Sequence, residues 1–168
     1  MQSLIQTKIT GGDPPPVFLD VRFHLHSLHI LSTIVRMKII ADTNTFLAVA
    51  LNEPEKPQIV RLTKGHELIA PDVLPFEIGN ALTAMMKKQL INTNEVTSAW
   101  DSAQKIQVEL YRTDIREALS IAAIFNIYAY DAYFLECAST LKLPLLTLDR
   151  RLREIAKMKH IKIIEVKT

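Results

Sequence analysis

From residue 37 onward the chain alternates short apolar runs with stretches in which apolar residues recur every three or four positions. Met37-Lys38-Ile39-Ile40-Ala41 is a run of the first kind and ends on Asp42; Phe46, Leu47, Ala50 and Leu51 open a stretch of the second kind. Short apolar runs bounded by turn or capping residues predict buried strands, and the three-to-four spacing predicts helices that pack by one face. The first unit is therefore strand, acid, helix, with Thr43 or Asn44 placed to cap the helix.

The same grammar repeats down the chain. A helix near 56–64 leads to a strand at Glu67-Leu68-Ile69-Ala70, and Pro71-Asp72 opens a long helix through Leu90, with Asp72 as its cap and Pro75 in its first turn. Val96, Ala99, Trp100, Ala103 and Ile106 mark one face of a helix over 94–107, and Trp100 and Met85-Met86 are read as core. A weak strand at 108–111 precedes a helix capped by Asp114 that runs to Phe125, and another helix carries Asp131 to Leu141. Pro144 to Thr147 reads as a strand, Asp149 starts a helix, and Ile161 to Val166 closes the chain as a strand. Strands alternating with helices predict an α/β fold whose central, mostly parallel sheet is covered on both faces.

Composition adds limits. With 168 residues, 48% of them hydrophobic, the chain has material for one ordinary core, and a net charge of +2 supplies no general pull toward nucleic acid. The single cysteine, Cys137, excludes an internal disulfide and any multi-cysteine metal site, as in a reducing compartment, and its helical context reads as core. Val17 to Val35 is apolar but broken by Asp20, Arg22, His24, His26 and His29, which argues against a membrane span; Gly11-Gly12-Asp13-Pro14-Pro15-Pro16 interrupts anything like a signal peptide. A cytoplasmic protein is expected. The three histidines lack partner acids and read as decoration rather than ligands.

Ligands of open α/β sheets collect at the carboxyl ends of strands, where Asp42 and Asp149 stand. In an extended backbone, residues two apart point the same way, which pairs Thr147 with Asp149 and Asn44 with Asp42. Glu77, within Leu74-Pro75-Phe76-Glu77-Ile78-Gly79-Asn80, shares a helix face with Asn80, Ala81 and Ala84, so Asn80 is placed to bond its carboxylate. Asp131 opens a helix that is otherwise apolar or small. Taken singly, Asp42, Asp131 and Asp149 also read as helix caps, and Glu77 as a solvated helix residue.

Taken together, "IIADTNTFL", "LPFEIGNAL", "YDAYFLECASTLKLPLLTLDRRL" and "IKIIEV" resemble the successive signatures of the PIN domain, specifically the toxin subunits of VapBC-type toxin–antitoxin pairs, over residues 37–168. In the third motif Tyr130-Asp131-Ala132 replaces the Asn usual in that neighbourhood. The resemblance implies a three-layer α/β/α sandwich and an endoribonuclease dependent on Mg²⁺ or Mn²⁺. Asp42, Glu77, Asp131 and Asp149 would form its acidic cluster, and Asn44 and Thr147 would support the metal or its water. It also implies a homodimer neutralised by a cognate antitoxin that fills the active-site groove. On this reading the domain starts at Met37, and residues 1–36 form an upstream extension such as a start codon set too early would give.

The chemistry asks for such a cluster on its own account. Phosphodiester cleavage needs an activated water and a sink for negative charge, which hard divalent cations supply through oxygen ligands. Carboxylates gathered without a cation repel one another and raise each other's pKa. Asp42 and Asp149 are expected to be the most direct ligands, with Glu77 and Asp131 completing the site. Arg150, Arg151, Arg153, Lys157, Lys159, Lys162 and Lys167 crowd the carboxyl-terminal stretch, with Lys87 and Lys88 elsewhere; Arg150 or Arg151, next to Asp149, is expected to hold RNA phosphate. A haloacid-dehalogenase-type phosphatase would want a second Asp where Asn44 stands, and a phosphoacceptor receiver would want a Lys after a late strand. The remaining alternative is a PIN fold that binds RNA or a protein without cutting.

Overall fold

The computed structural model describes residues 36–166; the predicted amino-terminal extension, apart from Arg36, and its histidine cluster lie outside the described residues. The elements are β1 (Lys38–Ala41), α1 (Thr43–Ala50), α2 (Lys56–Thr63), β2 (Glu67–Pro71), α3 (Leu74–Lys87) and α4 (Thr93–Ala103). They continue as β3 (Glu109–Tyr111), α5 (Ile115–Phe125), α6 (Ala129–Leu141), β4 (Leu145–Leu146), α7 (Arg150–Met158) and β5 (Ile163–Ile164). All strand pairs are parallel and the order is β3-β2-β1-β4-β5.

β1 holds the centre of the sheet, and its Ile39, Ile40 and Ala41 are all fully buried. Side chains alternate along a strand, so Ile39 and Ile40 enter opposite faces. Ile40 joins the larger core with Leu74, Ile78 and Leu82 of α3, Ala99 and Ala103 of α4, Ala118 of α5 and Phe134, Leu135 and Cys137 of α6. Ile39 joins a smaller core with Ala48 of α1, Ile59 of α2, Leu146 and Val166. Helices therefore cover both faces, giving the predicted α/β/α layering. Cys137 is buried, and Trp100, Met85 and Met86 are half-buried, with Trp100 packed against the larger core.

Chain order reverses at β1. The chain steps from β1 out to β2 and β3, then returns across α5 and α6 to place β4 on β1's other side. That reversal makes a crevice at the carboxyl ends of β1 and β4, the place where open parallel sheets bind ligands.

Three local expectations fail for identifiable reasons. Asp42, not Thr43 or Asn44, caps α1, because its carboxylate reaches the backbone N–H of Thr45 at 2.9 Å while its own backbone is extended. α3 starts after Val73 with no side-chain cap; the exposed Asp72 instead gives its N–H to the Tyr111 carbonyl at 2.9 Å, continuing the β2–β3 ladder. α6 begins two residues before Asp131, with Tyr128 at the cap position, so Asp131 lies inside the first turn and caps nothing. No single helix among the described residues is long and apolar enough to cross a membrane.

Candidate active site

Four helices begin beside the β1–β4 crevice, and each carries one of the predicted acids at its start. Asp42 caps α1, Glu77 lies in the first turn of α3, Asp131 in that of α6, and Asp149 caps α7. Helix amino termini carry partial positive charge, each worth roughly 0.3–1 kcal/mol to a nearby carboxylate. Capping and membership of one cluster are thus the same arrangement for Asp42 and Asp149, not rival readings.

Strand register positions the pair at the centre. Ala41 pairs with Leu146, and the Asp42 N–H extends the ladder to the Leu146 carbonyl at 3.1 Å, which sets Asp42 opposite Thr147. The Thr147 hydroxyl donates to Asp42 Oδ2 and accepts from the Asp149 N–H at 3.0 Å. Asp42 Oδ1 accepts from the Thr45 hydroxyl at 2.7 Å, and Asp149 Oδ1 accepts from the Leu152 N–H at 2.7 Å. Glu77 accepts from the Thr43 hydroxyl.

The cluster is electrostatically loaded. Burial pushes the Asp42 carboxyl up to about 6 against its three hydrogen bonds, with Asp149 adding to the rise. Burial likewise pushes Glu77 up to about 7, helped by Asp42 and Asp131 and opposed by the Thr43 bond. Asp131 is raised by burial and then by Asp149. Asp42, Glu77 and Asp131 each therefore feel a neighbouring acid, and none of the four is ion-paired with a Lys or Arg among the described residues.

Hard oxygen donors, mutual repulsion and no internal counter-charge make this donor set fit a divalent cation. The fit is one of donor chemistry: among the described residues no three His, Cys, Asp or Glu side chains close around one point as they stand.

The supporting residues divide. Thr147 is buried and hydrogen-bonds both Asp42 and the Asp149 backbone. Asn44 does not share a direction with Asp42, because Thr43 already begins α1 and the extended backbone ends; Asn44 is exposed. Asn80 does not bond Glu77 but donates to the Tyr130 hydroxyl at 3.4 Å, tying α3 to α6. Thr43 makes the bond to Glu77 that was expected of Asn80, and Thr45 bonds Asp42 through its hydroxyl and backbone N–H. Arg150 is exposed and paired with Glu154 of its own helix at 3.1 Å, whereas Arg151 donates to the Phe125 carbonyl at 3.2 Å and lines a cleft with Asp131. Glu136 is also buried, but its carboxylate accepts from Thr140 at 2.8 Å and faces the turn before α5.

Comparison with known proteins bears on the family and the fold. The PIN domain model matches residues 39–158. Ribonuclease VapC3 of Pyrobaculum aerophilum is 26% identical over 123 residues, covering 70% of this chain and 94% of that protein. Two crystal structures share the fold at a TM-score of 0.53 each. They are PAE2754 of Pyrobaculum aerophilum, 19% identical and covering 72% of this chain and 87% of that one, and VapBC2 of Rickettsia felis bound to a DNA fragment from its promoter, 13% identical and covering 76% and 98%. With the strand order, the four acids at four helix starts and a family match over most of its length, the chain belongs to the PIN domain family.

Proposed function

We propose that the chain is a divalent-metal-dependent endoribonuclease of the VapC toxin type, held in check by a protein antitoxin. The observation that carries this reading is the cluster of Asp42, Glu77, Asp131 and Asp149, partly buried and without a basic partner among the described residues. An arrangement so costly to the empty protein is what a nuclease needs when a cation offsets it. The likeness to Ribonuclease VapC3 supports RNA as substrate, and the likeness to a VapBC structure supports an antitoxin partner.

The four acids would hold Mg²⁺ or Mn²⁺, which when bound supplies a nucleophilic water at neutral pH and a sink for charge on the phosphorane and leaving oxygen. The chain's own residues prepare that ground. Thr45 and Thr147 clamp the Asp42 carboxylate in one orientation, and Thr147 couples it to the backbone at Asp149. Thr43 does the same for Glu77 from the start of α1. The convergent helix starts favour an anionic backbone arriving beside the acids.

Cleavage of RNA by the full-length protein tests this. Wild type is expected to cut in Mg²⁺ or Mn²⁺ and to stop in EDTA, with Asp42→Asn reducing the rate by about 100-fold or more. Asn keeps the helix cap, so the loss reports the charge. Equal cleavage by wild type and Asp42→Asn would remove the acidic centre from the mechanism; RNA binding with no cleavage by either would favour the non-cutting module.

A further inference from the structure

Beside Asp131 lies a cleft of about 420 Å³ lined by Asn126, Ile127, Tyr128, Asp131 and Arg151. Its volume falls in the range of small-molecule sites, roughly 300–1,000 Å³. The turn between α5 and α6 builds its wall. Asn126 ends α5 in the left-handed conformation, φ 49°, and the Ile127 N–H closes on the Ala122 carbonyl at 3.1 Å. This sharp reversal leaves the Tyr128 side chain out in water: the residue is 85% exposed, more than any other large hydrophobic or aromatic residue among those described.

Two features of the cleft point to one kind of ligand. An exposed ring beside a polar cleft gains nothing from the core, yet it offers a flat face to an unstacked base. Arg151 crosses from α7 and is anchored on the Phe125 carbonyl at 3.2 Å, so its fork is held in place while its remaining N–H groups are free to meet an anion at the start of α7. Arg150, one residue earlier, is spent on Glu154 and lines no part of this cleft. Asp131 belongs both to this cleft and to the acidic cluster, so an occupant lies next to the reacting phosphate.

We propose that this cleft is a nucleotide subsite of the nuclease: Tyr128 stacks on the base adjoining the scissile bond and Arg151 holds its phosphate. The inference rests on the ribonuclease reading. A base within a duplex has both faces covered by its neighbours and cannot use such a ring without being extruded.

The test separates binding from cutting. In full-length Asp42→Asn protein with EDTA, a fluorescein-labelled single-stranded oligoadenylate is titrated by anisotropy over a range of salt concentrations, beside a fully paired RNA hairpin. The single strand binds more tightly. Tyr128→Ala weakens it about tenfold and Tyr128→Phe does not. Arg151→Ala weakens it and makes the log–log salt slope shallower by about 0.7, the value for one phosphate contact on a single strand, whereas Arg61→Ala, in the last turn of α2, leaves the slope unchanged. With the acid restored, Tyr128→Ala raises KM in cleavage.

The proposal is overturned if Tyr128→Ala binds like its parent, if Tyr128→Phe loses as much as Tyr128→Ala, if Arg151→Ala keeps the parental slope, or if the hairpin binds as well as the single strand. Should wild type cut RNA while those variants bind and cut normally, the subsite falls and the ribonuclease reading stands. Should the binding results appear as expected with no cleavage by wild type, the ribonuclease reading falls and takes the scissile-bond assignment with it, leaving the cleft as a single-strand binding site of a non-cutting module.

Discussion

The two ends of the same sheet treat their charges in opposite ways. At the amino edge, Lys38 of β1 faces Glu109 of β3 at 3.0 Å and Glu67 of β2 at 3.8 Å, and Arg36 adds a contact to Glu67 at 3.1 Å. Every acid there has a base, all are substantially exposed, and Lys38 has its pKa raised by its hydrogen bond and attraction to Glu109. At the carboxyl edge Asp42, Glu77, Asp131 and Asp149 crowd together without a base. The first edge is a solvated surface network of small net value. The second gathers acids whose charged forms are disfavoured by burial and by one another.

This contrast is sharpest in metal-free protein. In EDTA at alkaline pH, Asp42→Asn is expected to melt above wild type by roughly 5 °C or more, because it removes a buried charge while retaining the cap. Added Mg²⁺ or Mn²⁺ raises the Tm of wild type and not of the variant, as binding to the native state alone requires. A variant that melts below wild type under both conditions would show that the cluster is not strained, and the two edges would no longer differ in kind.

A pH series sharpens the same point. Asp42 rises from 3.8 to about 6 on folding, so between those values the native protein holds a proton that the unfolded chain has released. The native state then binds more protons, and stability must fall as pH rises through that window. Without metal, wild type should lose on the order of 3 kcal/mol relative to Asp42→Asn between about pH 4 and pH 7, readable by urea denaturation. A parallel pH profile for the two proteins would contradict the buried carboxylate.

The amino edge supplies the smallest effect. Glu109→Gln should move Tm by no more than about 2 °C, with any loss fading at high salt. A larger, salt-resistant loss would make that network a structural determinant.

Much of this was legible in the chain because strands and helices leave periodic traces. The parallel sheet, the Asp114 cap and the placement of Asp42 and Asp149 follow from short apolar runs, helical spacing and acids at strand ends, while the grouping of Glu77 and Asp131 with them was what the family resemblance implied. Asn44 and Asn80 were misread because each was judged by its nearest sequence neighbour. Asn44 was given an extended backbone that had already turned helical, and Asn80 was assigned to Glu77 when its partner is Tyr130, fifty residues on.

Sequence by itself determined the elements, their alternation and which acids stand at strand ends and helix starts, since those depend on local spacing and side-chain type. Only the tertiary structure decided that Ala41 pairs with Leu146, and hence that Asp42 meets Thr147 and Asp149 across 105 residues of chain separation between Asp42 and Thr147. It also separated Arg151 from Arg150, which are indistinguishable in sequence: a helix turns each successive residue by about 100°, so one guanidinium reaches α5 and the other runs along its own helix. Charge repulsion depends on distance in space, and distance in space is set by register and packing rather than by the order of residues.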